Sequence, residues 1–400
     1  MTYSSYRVKV PGKLMIAGEY AVLEPNQPAV VMAVDRYVSA YIEPDSQNLL
    51  SLPQLGLNAV TWETSDDQVQ LSPSDSRLRF IQNSILVVNQ LLKEKSVTLR
   101  PFHLTVKSEL DDPVTGQKYG LGSSAAIVVA VISAMLSLYG DGETAPALDH
   151  IFKLSAIAHL KTQTNGSGAD IAAAVYGGWL GYTSYKPEWV LKNIEQGERL
   201  TTLLEKPWPL LSIRPLVAPS LLQVAVGWTK EAVSTGPMVK RAQDYRICHE
   251  EEYSLFLNTS FDSVTGLINS FERNDCSSAI SFLKKNRVAL MNLGISAGLQ
   301  IETAKLKALC NSAEEFGSGK SSGAGGGDCG IAFLQEESHI QGLHAAWKAA
   351  DISPLKLNIS KKGVSVTEYN CEPSLKQWPA CHHQEQIQDI WNYKENRISV

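Results

Sequence analysis

The feature that most constrains this sequence is the segment from Gly120 to Leu138, where a glycine–serine turn leads directly into the most apolar run of the chain. The run from Ala125 to Leu138 is too short to span a bilayer and is typical of a buried helix. Glycines and serines at the start of such a helix present backbone N–H groups and hydroxyls at the positive end of the helix dipole. The segment therefore predicts an anion-binding site. A simple serine N-cap is the alternative, but it leaves Gly120 and Gly122 unexplained.

The same residues match the letter of a dinucleotide-binding loop, because Gly120–Ala125 reads GLGSSA. A loop of that type turns directly off its strand and opens a helix early in a βαβ unit. Here the nearest predicted strand, His103–Val106, ends well upstream, and no second strand with an acidic residue follows at the required distance. The pattern therefore does not indicate a Rossmann fold.

A second glycine-rich segment, Gly317–Gly330, is the most glycine-dense part of the chain. Gly319-Lys320-Ser321 resembles the end of a phosphate-binding P-loop, but Glu314 stands where that motif requires its first glycine. Glycine at this density lets the backbone approach a ligand closely or adopt positive φ. A flexible linker is the alternative, although a linker would not normally run straight into an apolar strand such as Gly330–Leu334.

Length and composition describe a two-domain globular protein. A chain of 400 residues is too long for one ordinary core, and its 44% hydrophobic and 19% charged residues are ordinary for a folded protein. The net charge of -5 argues against a nucleic-acid partner, which needs a strong basic excess. Met1–Val10 has no apolar stretch behind a basic start, so we expect no signal peptide, no membrane span and a cytoplasmic protein.

The cysteines form no CxxC pair and no tight framework, as expected of free thiols in a reducing cytoplasm. The 6 cysteines are Cys248, Cys276, Cys310, Cys329, Cys371 and Cys381. Cys381 stands beside His382 and His383, which leaves a metal site as an alternative, but no second ligand pair stands at a helpful spacing.

Hydrophobic periodicity predicts strands and helices that do not alternate strictly, which favours an α+β fold over a doubly wound sheet. Strands are predicted at Tyr6–Val10, Val34–Glu43, His103–Val106, Gly177–Tyr182, Leu221–Trp228, Gly330–Leu334, Leu355–Ile359 and Ser365–Tyr369. Helices are predicted at Leu78–Lys93, Ala125–Leu138, Pro146–Lys161, Ile171–Tyr176, Pro237–Glu252, Cys276–Leu290, Ile301–Phe316 and Ile340–Ala350. A glycine-bearing loop is predicted at Pro11–Glu19. A stretch rich in proline and leucine begins at Leu200, which predicts domains of residues 1–198 and 199–400.

Three segments together resemble the three sequence motifs of the GHMP kinase family, in order and in approximate spacing. They are Pro11–Leu14 with Gly18–Tyr20, then Gly120–Ala126, then Ser322–Asp328. The resemblance spans nearly the whole chain. It implies a two-domain α+β fold, with an N-terminal domain like ribosomal protein S5 domain 2 and a ferredoxin-like C-terminal domain. It also implies that ATP lies in the cleft between the domains, with its phosphates on the glycine–serine loop and Mg²⁺ as a second cofactor.

Sequence features that differ between members of the family narrow the range of possible acceptor substrates. Galactokinases carry a His-Thr-Asp run that is absent here, mevalonate kinases usually have His where this chain has Tyr20, and diphosphomevalonate decarboxylases lack the lysine matched by Lys13. Val226–Thr229 and Gly166–Asp170 resemble the corresponding segments of one group of GHMP kinases. The enzymes of that group phosphorylate 5-phosphomevalonate to the diphosphate in the mevalonate route to isoprenoids. Mevalonate kinase or another GHMP small-molecule kinase is the nearest alternative. A non-catalytic ligand sensor would be expected to have lost Lys13 or Asp170, and both are present.

The resemblance also implies roles for individual residues. Lys13 is expected between the transferring phosphoryl group and the acceptor, and Asp170 is expected to orient or deprotonate the attacking oxygen. Ser124 matches the serine that helps to hold Mg²⁺ in relatives. The implied ATP-binding residues are Gly120, Leu121, Gly122, Ser123, Ser124 and Ala125. Lys118, just before this loop, is a further ATP-binding candidate because of its positive charge; it could contact either anion, and a solvated surface lysine is the alternative. The implied substrate-binding residues are Tyr20, Ser167, Ser234, Thr235, Arg241, Gly325, Gly326 and Asp328.

Two positions depart from the family pattern. Several relatives place a metal-binding Glu on the helix upstream of the aspartate, whereas this chain reads Ala158-His159-Leu160-Lys161. Lys230-Glu231 follows the Gly-Trp-Thr segment where a glycine is expected. The first departure indicates that the metal ion is held mostly by nucleotide phosphates. The second falls in the segment expected to contact the acceptor, where Ser234, Thr235 and Arg241 are the predicted contacts. A monomer and a homodimer are both compatible with the sequence.

Overall fold

The computed structural model describes residues 3–65, 68–140, 146–163, 166–232 and 235–371. Its strands are β1 (Tyr3–Ala17), β2 (Pro28–Pro44), β3 (Leu49–Leu52), β4 (Leu57–Thr64), β5 (Val69–Ser72), β6 (Phe102–Ser108), β7 (Trp179–Thr183), β8 (Ser212–Leu216), β9 (Gln223–Trp228), β10 (Gly317–Ser321), β11 (Cys329–Leu334), β12 (Ser353–Leu355) and β13 (Ser365–Cys371). Its helices are α1 (Arg79–Glu94), α2 (Ser123–Tyr139), α3 (Leu148–Thr162), α4 (Ala169–Tyr176), α5 (Pro187–Glu195), α6 (Leu200–Glu205), α7 (Thr235–Cys248), α8 (Glu250–Glu272), α9 (Cys276–Ala297), α10 (Ala304–Ala313) and α11 (His339–Ala349).

The first sheet is built around the long antiparallel pair β1 and β2. Its strand order in the described part of the chain is β13-β1-β2-β6-β3-β4-β5, with β7 paired to the beginning of β2 and β8 paired to β7. The predicted loop at Pro11–Glu19 is wrong, because β1 continues to Ala17. A shift in register between Pro11 and Gly12 accommodates the proline, as bulges do elsewhere in sheets.

Helix α2 is the buried helix that the apolar run predicted. It packs against β1 and β2 and contacts α1, α3 and α4, so most of its surface is covered by protein. A helix that is apolar on nearly all sides is stable only in such a position. The result is that the glycine–serine turn before α2 is anchored to the centre of the first half of the chain.

The second sheet is antiparallel, with strand order β10-β11-β9-β12. Helices α10 and α11 cover it, and Trp347 of α11 is fully buried with its indole N–H donating to the carbonyl oxygen of Leu309 at 3.1 Å. Helix α9 lies beside it and packs along the long helix α8, which in turn contacts β2 and β8 of the first sheet. The predicted helix Pro237–Glu252 spans parts of two helices. The helical conformation is interrupted at His249, between the end of α7 and the start of α8.

The two halves of the chain are joined by sheet pairing as well as by side chains. Strands β8 and β13 both lie beyond residue 198 in sequence, yet both pair within the first sheet. The division into residues 1–198 and 199–400 stays a prediction. The α+β character and the two sheets agree with the predicted two-domain architecture. The predicted strand Leu355–Ile359 is wrong in its position, since β12 ends at Leu355.

Candidate active site

A cleft between the two halves collects residues from all three sequence motifs. Its cavity volume is about 210 Å³, and its mouth is open to solvent. The first half of the chain contributes Lys13, Met15, Glu19, Tyr20, Val22, Leu23, Ser124, His159, Gln163, Gly166, Ser167, Ala169 and Asp170. The second half contributes Thr235, Val239, Gly323 and Ala324.

The glycine–serine turn before α2 has a shape that requires glycine. Gly120 and Gly122 have φ values of 81° and 80°, in the left-handed region that favours this residue. A Cβ at Gly120 would lie 2.6 Å from the Cβ of Asp328, and one at Gly122 would lie 2.9 Å from Cγ of Lys13. Ser123 and Ser124 follow as the first residues of α2, where backbone N–H groups have no partner within the helix. The turn is therefore a cradle for an anion.

Lys13 is held against this turn by its main chain and its side chain. Its backbone N–H donates to the carbonyl oxygen of Leu121 at 2.8 Å, and its ammonium donates to the carbonyl oxygen of Gly120 at 3.4 Å. Its methylene groups lie along Gly122. A positive charge is thus fixed between the anion cradle and the cleft.

Asp170 lies in the first turn of α4, where Gly168 with φ 78° precedes the helix. One carboxylate oxygen accepts a hydrogen bond from the N–H of Ile171 at 3.0 Å. The loop before it is held from behind, because the hydroxyls of Tyr182 and Ser184 donate to the carbonyl oxygen of Ser167 at 2.5 and 2.9 Å. Burial raises the pKa of the Tyr182 phenol well above its usual value, so the phenol stays a donor at neutral pH.

Asp328 lies over Gly120, against the glycine–serine turn that precedes α2. Burial raises the pKa of its carboxyl group to about 6, although the positive charges of Lys13 and Lys118 oppose the shift. Its carbonyl oxygen accepts hydrogen bonds from the N–H and the hydroxyl of Thr229, both at 2.9 Å. The predicted third motif therefore reaches the anion cradle through Asp328.

Replacing Asp328 by asparagine is expected to stabilise the protein increasingly as the pH rises. The native carboxyl holds its proton up to about pH 6, whereas an unfolded aspartate loses it near 4. The native state thus binds more protons between these values, and wild-type stability falls as the pH rises through this window. Between pH 5 and 7 the advantage of Asp328→Asn should grow by about 1 kcal/mol, after allowance for partial solvent screening. Urea unfolding at the two pH values measures it.

Asp351→Asn is the matched control for this measurement. Lys230 and Lys305 lower the pKa of Asp351 to about 2, so this carboxyl is ionised in both states between pH 5 and 7. The effect of Asp351→Asn on unfolding should therefore be the same at both pH values. A pH-independent effect of Asp328→Asn would show that the Asp328 carboxyl does not titrate as described.

A buried seam fixes the wall of the cleft where the first and third motifs meet. Lys320 forms an ion pair with Glu19, and both side chains are almost completely buried. The hydroxyl of Tyr20 donates to the carbonyl oxygen of Ala324. The hydroxyl of Ser322 donates to the carbonyl oxygen of Met15 at 2.9 Å and accepts from its N–H at 3.1 Å.

The structure brings some of the predicted site residues together and leaves others apart. Lys13, Tyr20, Ser124, Ser167, Asp170 and Thr235 line one cleft. Gly120, Leu121, Gly122, Ser123 and Ala125 form the turn and the first residues of α2 beside it. Lys118 is exposed next to the turn, and its charge acts on the carboxyls of Asp111 and Asp328.

Four predicted substrate contacts, Asp328, Arg241, Gly325 and Gly326, are not part of the cleft's described lining. Asp328 lies over Gly120 instead. Arg241 is exposed, and its Nε donates to the carbonyl oxygen of Ala297 at 3.2 Å. Gly325 packs on Ile301, and Gly326 donates its N–H to the carbonyl oxygen of Ile301 at 2.8 Å. Their neighbours Gly323 and Ala324 line the cleft instead. The roles of Arg241, Gly325 and Gly326 in binding stay predictions, and Ser234 lies outside the described residues.

Sequence reasoning missed several of the cleft's residues. Glu19 was part of the first motif but received no role, and His159 and Gln163 stand on or next to a helix that was treated only as a departure from the family pattern. The available signal was the position of His159 on the buried side of a predicted helix. His159 is 6% exposed. Its place in the cleft is determined by the packing of α3 against the loop before α4, which the sequence does not show.

Two further observations concern metals and membranes. Within the described residues, no group of three or more His, Cys, Asp or Glu side chains is arranged to hold a metal ion, and the alternative at Cys381, His382 and His383 lies outside them. Over the same residues, no helix has both the length and the apolar character needed to cross a bilayer.

Comparison with known proteins agrees with this geometry. The family model for the GHMP kinases N terminal domain matches residues 81–178, and the model for the GHMP kinases C terminal domain matches residues 279–352. A phosphomevalonate kinase from Streptomyces sp. (strain CL190) is 34% identical over 88% of this chain and 97% of its own length.

Solved structures lead to the same family. The structure of a Lin0012 protein from Listeria innocua has a TM-score of 0.85 and 37% identity, covering 91% of this chain and 99% of the other. The structure of Streptococcus pneumoniae phosphomevalonate kinase in complex with phosphomevalonate and AMPPNP has a TM-score of 0.77 and 29% identity, covering 88% and 99%.

The chain belongs to the GHMP kinase family, as its three motifs predicted, and the predicted two-domain fold is confirmed. An anion cradle beside a fixed lysine is the arrangement that a phosphotransferase of this family needs. Among its relatives, the Streptomyces protein and the pneumococcal structure are both phosphomevalonate kinases.

Proposed function

We propose that this chain transfers the γ-phosphoryl group of ATP to the phosphate of 5-phosphomevalonate, forming 5-diphosphomevalonate and ADP in the mevalonate route to isoprenoids. The observation that carries the proposal is the convergence of Lys13, Ser124 and Asp170 on one cleft. The choice of 5-phosphomevalonate as the acceptor is supported by the name of the Streptomyces relative and by the ligands of the pneumococcal structure.

Both substrates of this reaction are strongly anionic, so the site must compensate charge while it holds two phosphates close together. The N-terminus of α2 supplies oriented N–H groups for the phosphates of ATP. Lys13 supplies a full positive charge beside them. In this position the ammonium stabilises negative charge on the oxygens that connect donor and acceptor, and it does so most strongly in the transition state.

Asp170 lines the same cleft as Lys13 and orients the acceptor there. A phosphate acceptor is already ionised near neutral pH, so the attacking oxygen does not need a strong base. The role of Asp170 is then to fix the direction of attack together with Lys13. Loss of Asp170 should cost less than the loss of the equivalent aspartate in a kinase whose acceptor is an alcohol.

The residues at the start of α2 fit a nucleotide-bound Mg²⁺ ion. Ser124 places a hydroxyl in the cleft next to the anion cradle, and oxygen ligands of this kind suit magnesium when phosphate oxygens and water complete the shell. The ion, when bound, neutralises charge on the phosphates. We also propose that the protein acts in the cytoplasm, as a monomer or a homodimer.

An acceptor panel tests the proposed function. Release of ADP from Mg-ATP is followed with 5-phosphomevalonate, mevalonate and diphosphomevalonate in parallel, at equal concentrations. ADP release with 5-phosphomevalonate alone is expected, because the other two acceptors either lack the phosphate or carry one more. Turnover with mevalonate alone would make the chain a mevalonate kinase and overturn the proposed acceptor.

A further inference from the structure

The loop before α4 carries lining residues of the cleft but has little stiffness of its own. Ser167 stands between Gly166 and Gly168, and Asp170 follows in the first turn of α4. Glycine restricts the backbone less than any other residue, because it has no Cβ. Ser167 and Asp170 both line the cleft. The position of Asp170 therefore depends on contacts that hold this loop from outside it.

Two hydroxyl groups hold the loop at a single atom. Tyr182 lies in β7, and Ser184 follows directly after that strand. Their hydroxyls donate to the carbonyl oxygen of Ser167 at 2.5 and 2.9 Å, and a carbonyl oxygen has the two lone pairs needed to accept both. Both side chains are buried, so water competes little for these bonds. We call this pair of hydrogen bonds the carbonyl clamp.

The carbonyl clamp stands on a rigid part of the fold. Strand β7 pairs with β2 on one side and with β8 on the other, so its backbone is fixed within the first sheet. Helix α4 packs against β1, β2 and β7. The clamp thus joins the glycine-bearing end of α4 to the sheet on which the rest of the helix already lies.

The clamp is close to Asp170 in space as well as in sequence. A Cβ added at Gly168 would lie 3.0 Å from the Tyr182 hydroxyl oxygen and 3.0 Å from Cε1 of Tyr185, so both rings pack directly on the loop. Burial raises the pKa of the Tyr185 phenol, and the negative charge of Asp170 adds to the shift. The Asp170 carboxylate therefore lies near enough to these phenols for its charge to act on them.

We propose that Tyr182 and Ser184 are positioning residues for phosphoryl transfer, whose hydroxyls hold the Ser167 carbonyl oxygen and thereby fix the Asp170 carboxylate in the orientation that directs the attacking oxygen. This inference rests on the proposed function, which gives Asp170 its role. Neither Tyr182 nor Ser184 is part of the cleft's described lining, so both act through the loop. Displacing an orienting group lowers the rate of reaction more than it lowers the affinity for substrates.

The first test is the effect of Tyr182→Phe on kcat and on the two KM values. The variant keeps the ring and removes one of the two donors. A misplacement of about 1 Å can cost about a hundredfold in rate, and Ser184 retains the second hydrogen bond, so kcat should fall by about tenfold. The double variant Tyr182→Phe/Ser184→Ala removes both donors and should lower kcat by about a hundredfold. KM for ATP should stay within about twofold in each.

A double-mutant cycle with Asp170→Asn separates positioning from a general loss of structure. If Tyr182 acts through Asp170, the effect of Tyr182→Phe on kcat should shrink to less than about twofold in the Asp170→Asn background. A merely structural role would give the same fold loss in both backgrounds. Equal losses in the two backgrounds would overturn the proposal, as would an unchanged kcat in Tyr182→Phe.

Tyr139→Phe is the matched control. The Tyr139 phenol donates to the carbonyl oxygen of Arg100 at 2.6 Å, so the substitution removes the same kind of hydrogen bond outside the cleft's described lining. It should leave kcat within about twofold. Thermal stabilisation by AMPPNP reports whether each variant retains a folded nucleotide site.

Failure of the proposed function would give a different result from failure of the clamp. If wild type turns over mevalonate alone, the proposed acceptor is wrong, and the same cycle is measured with mevalonate. If no acceptor turns over, amide hydrogen exchange decides. Loss of one hydrogen bond should speed exchange in residues 166–172 of Tyr182→Phe by about tenfold, with no change there in Tyr139→Phe. Unchanged exchange in Tyr182→Phe would overturn the carbonyl clamp.

Discussion

Replacing Lys13 by methionine is expected to lower kcat by about a thousandfold, with a smaller change in the affinity for ATP. Methionine keeps the length of the side chain along Gly122 but removes the ammonium that faces the carbonyl oxygen of Gly120. Removal of one preorganised group that stabilises transition-state charge typically costs about a hundredfold to a thousandfold, and a lost phosphate-binding cation costs more. Steady-state ADP release with saturating Mg-ATP and 5-phosphomevalonate measures the effect.

Lys9→Met is the matched control for this prediction. Lys9 lies on the same strand, β1, and its ammonium is 4.4 Å from the centre of the Tyr37 ring, outside the cleft's described lining. Its substitution should leave kcat within about twofold. The kcat of Asp170→Asn should lie between those of Lys13→Met and Lys9→Met, because the acceptor phosphate needs orientation more than deprotonation. A Lys13→Met enzyme with nearly wild-type kcat would contradict the role assigned to the lysine.

Replacing Lys320 by methionine is expected to destabilise the protein by about 3–5 kcal/mol. The Lys320 ammonium is completely buried, and Glu19 is buried with it. Removal of one partner leaves the other as an uncompensated charge in the interior, which is far costlier than the loss of an exposed pair. One oxygen of Glu19, Oε2, already has no partner among the described residues, so the remaining carboxylate would be poorly solvated. Urea-induced unfolding monitored by circular dichroism measures the change.

Two variants show whether the buried charge is the cause. Lys284→Met removes a lysine from the pair with Glu314, but Lys284 is 57% exposed, so the cost should stay below about 1 kcal/mol. The double variant Glu19→Gln/Lys320→Met removes both buried charges and should recover part of the stability lost in the single variant. A Lys320→Met protein as stable as Lys284→Met would contradict the importance of this ion pair.

The parts of the site that sequence could predict are those in which one residue type is required locally. Gly120 and Gly122 need positive φ, and the helix after them is buried on nearly all sides, so the anion cradle and α2 were predictable together. The family pattern then placed Lys13 and Asp170, which do line one cleft. Each of these features depends on residues close together in sequence or on a motif.

The parts that sequence could not predict depend on contacts between distant residues. The ion pair Glu19–Lys320 joins residues 301 positions apart in the sequence. The sequence around each residue does not indicate that its side chain is buried. The predicted strand ended at Val10, before a glycine-bearing loop, but pairing with β2 carries β1 through a register shift at Pro11 and Gly12 as far as Ala17. Arg241 was predicted as a phosphate ligand by its chemistry; its Nε donates to the carbonyl oxygen of Ala297 at the end of α9, a contact that the sequence did not indicate, and its role in binding stays a prediction.

Phosphorus NMR of the complete reaction is the most direct test of phosphoryl transfer to 5-phosphomevalonate. Wild-type protein is incubated with Mg-ATP and 5-phosphomevalonate, and the products are followed over time. ADP should appear together with an equal amount of a new diphosphate ester, seen as two coupled resonances, while the monoester signal of the acceptor declines. ADP accompanied by inorganic phosphate, or an acceptor monoester signal that does not change, would contradict the proposed reaction.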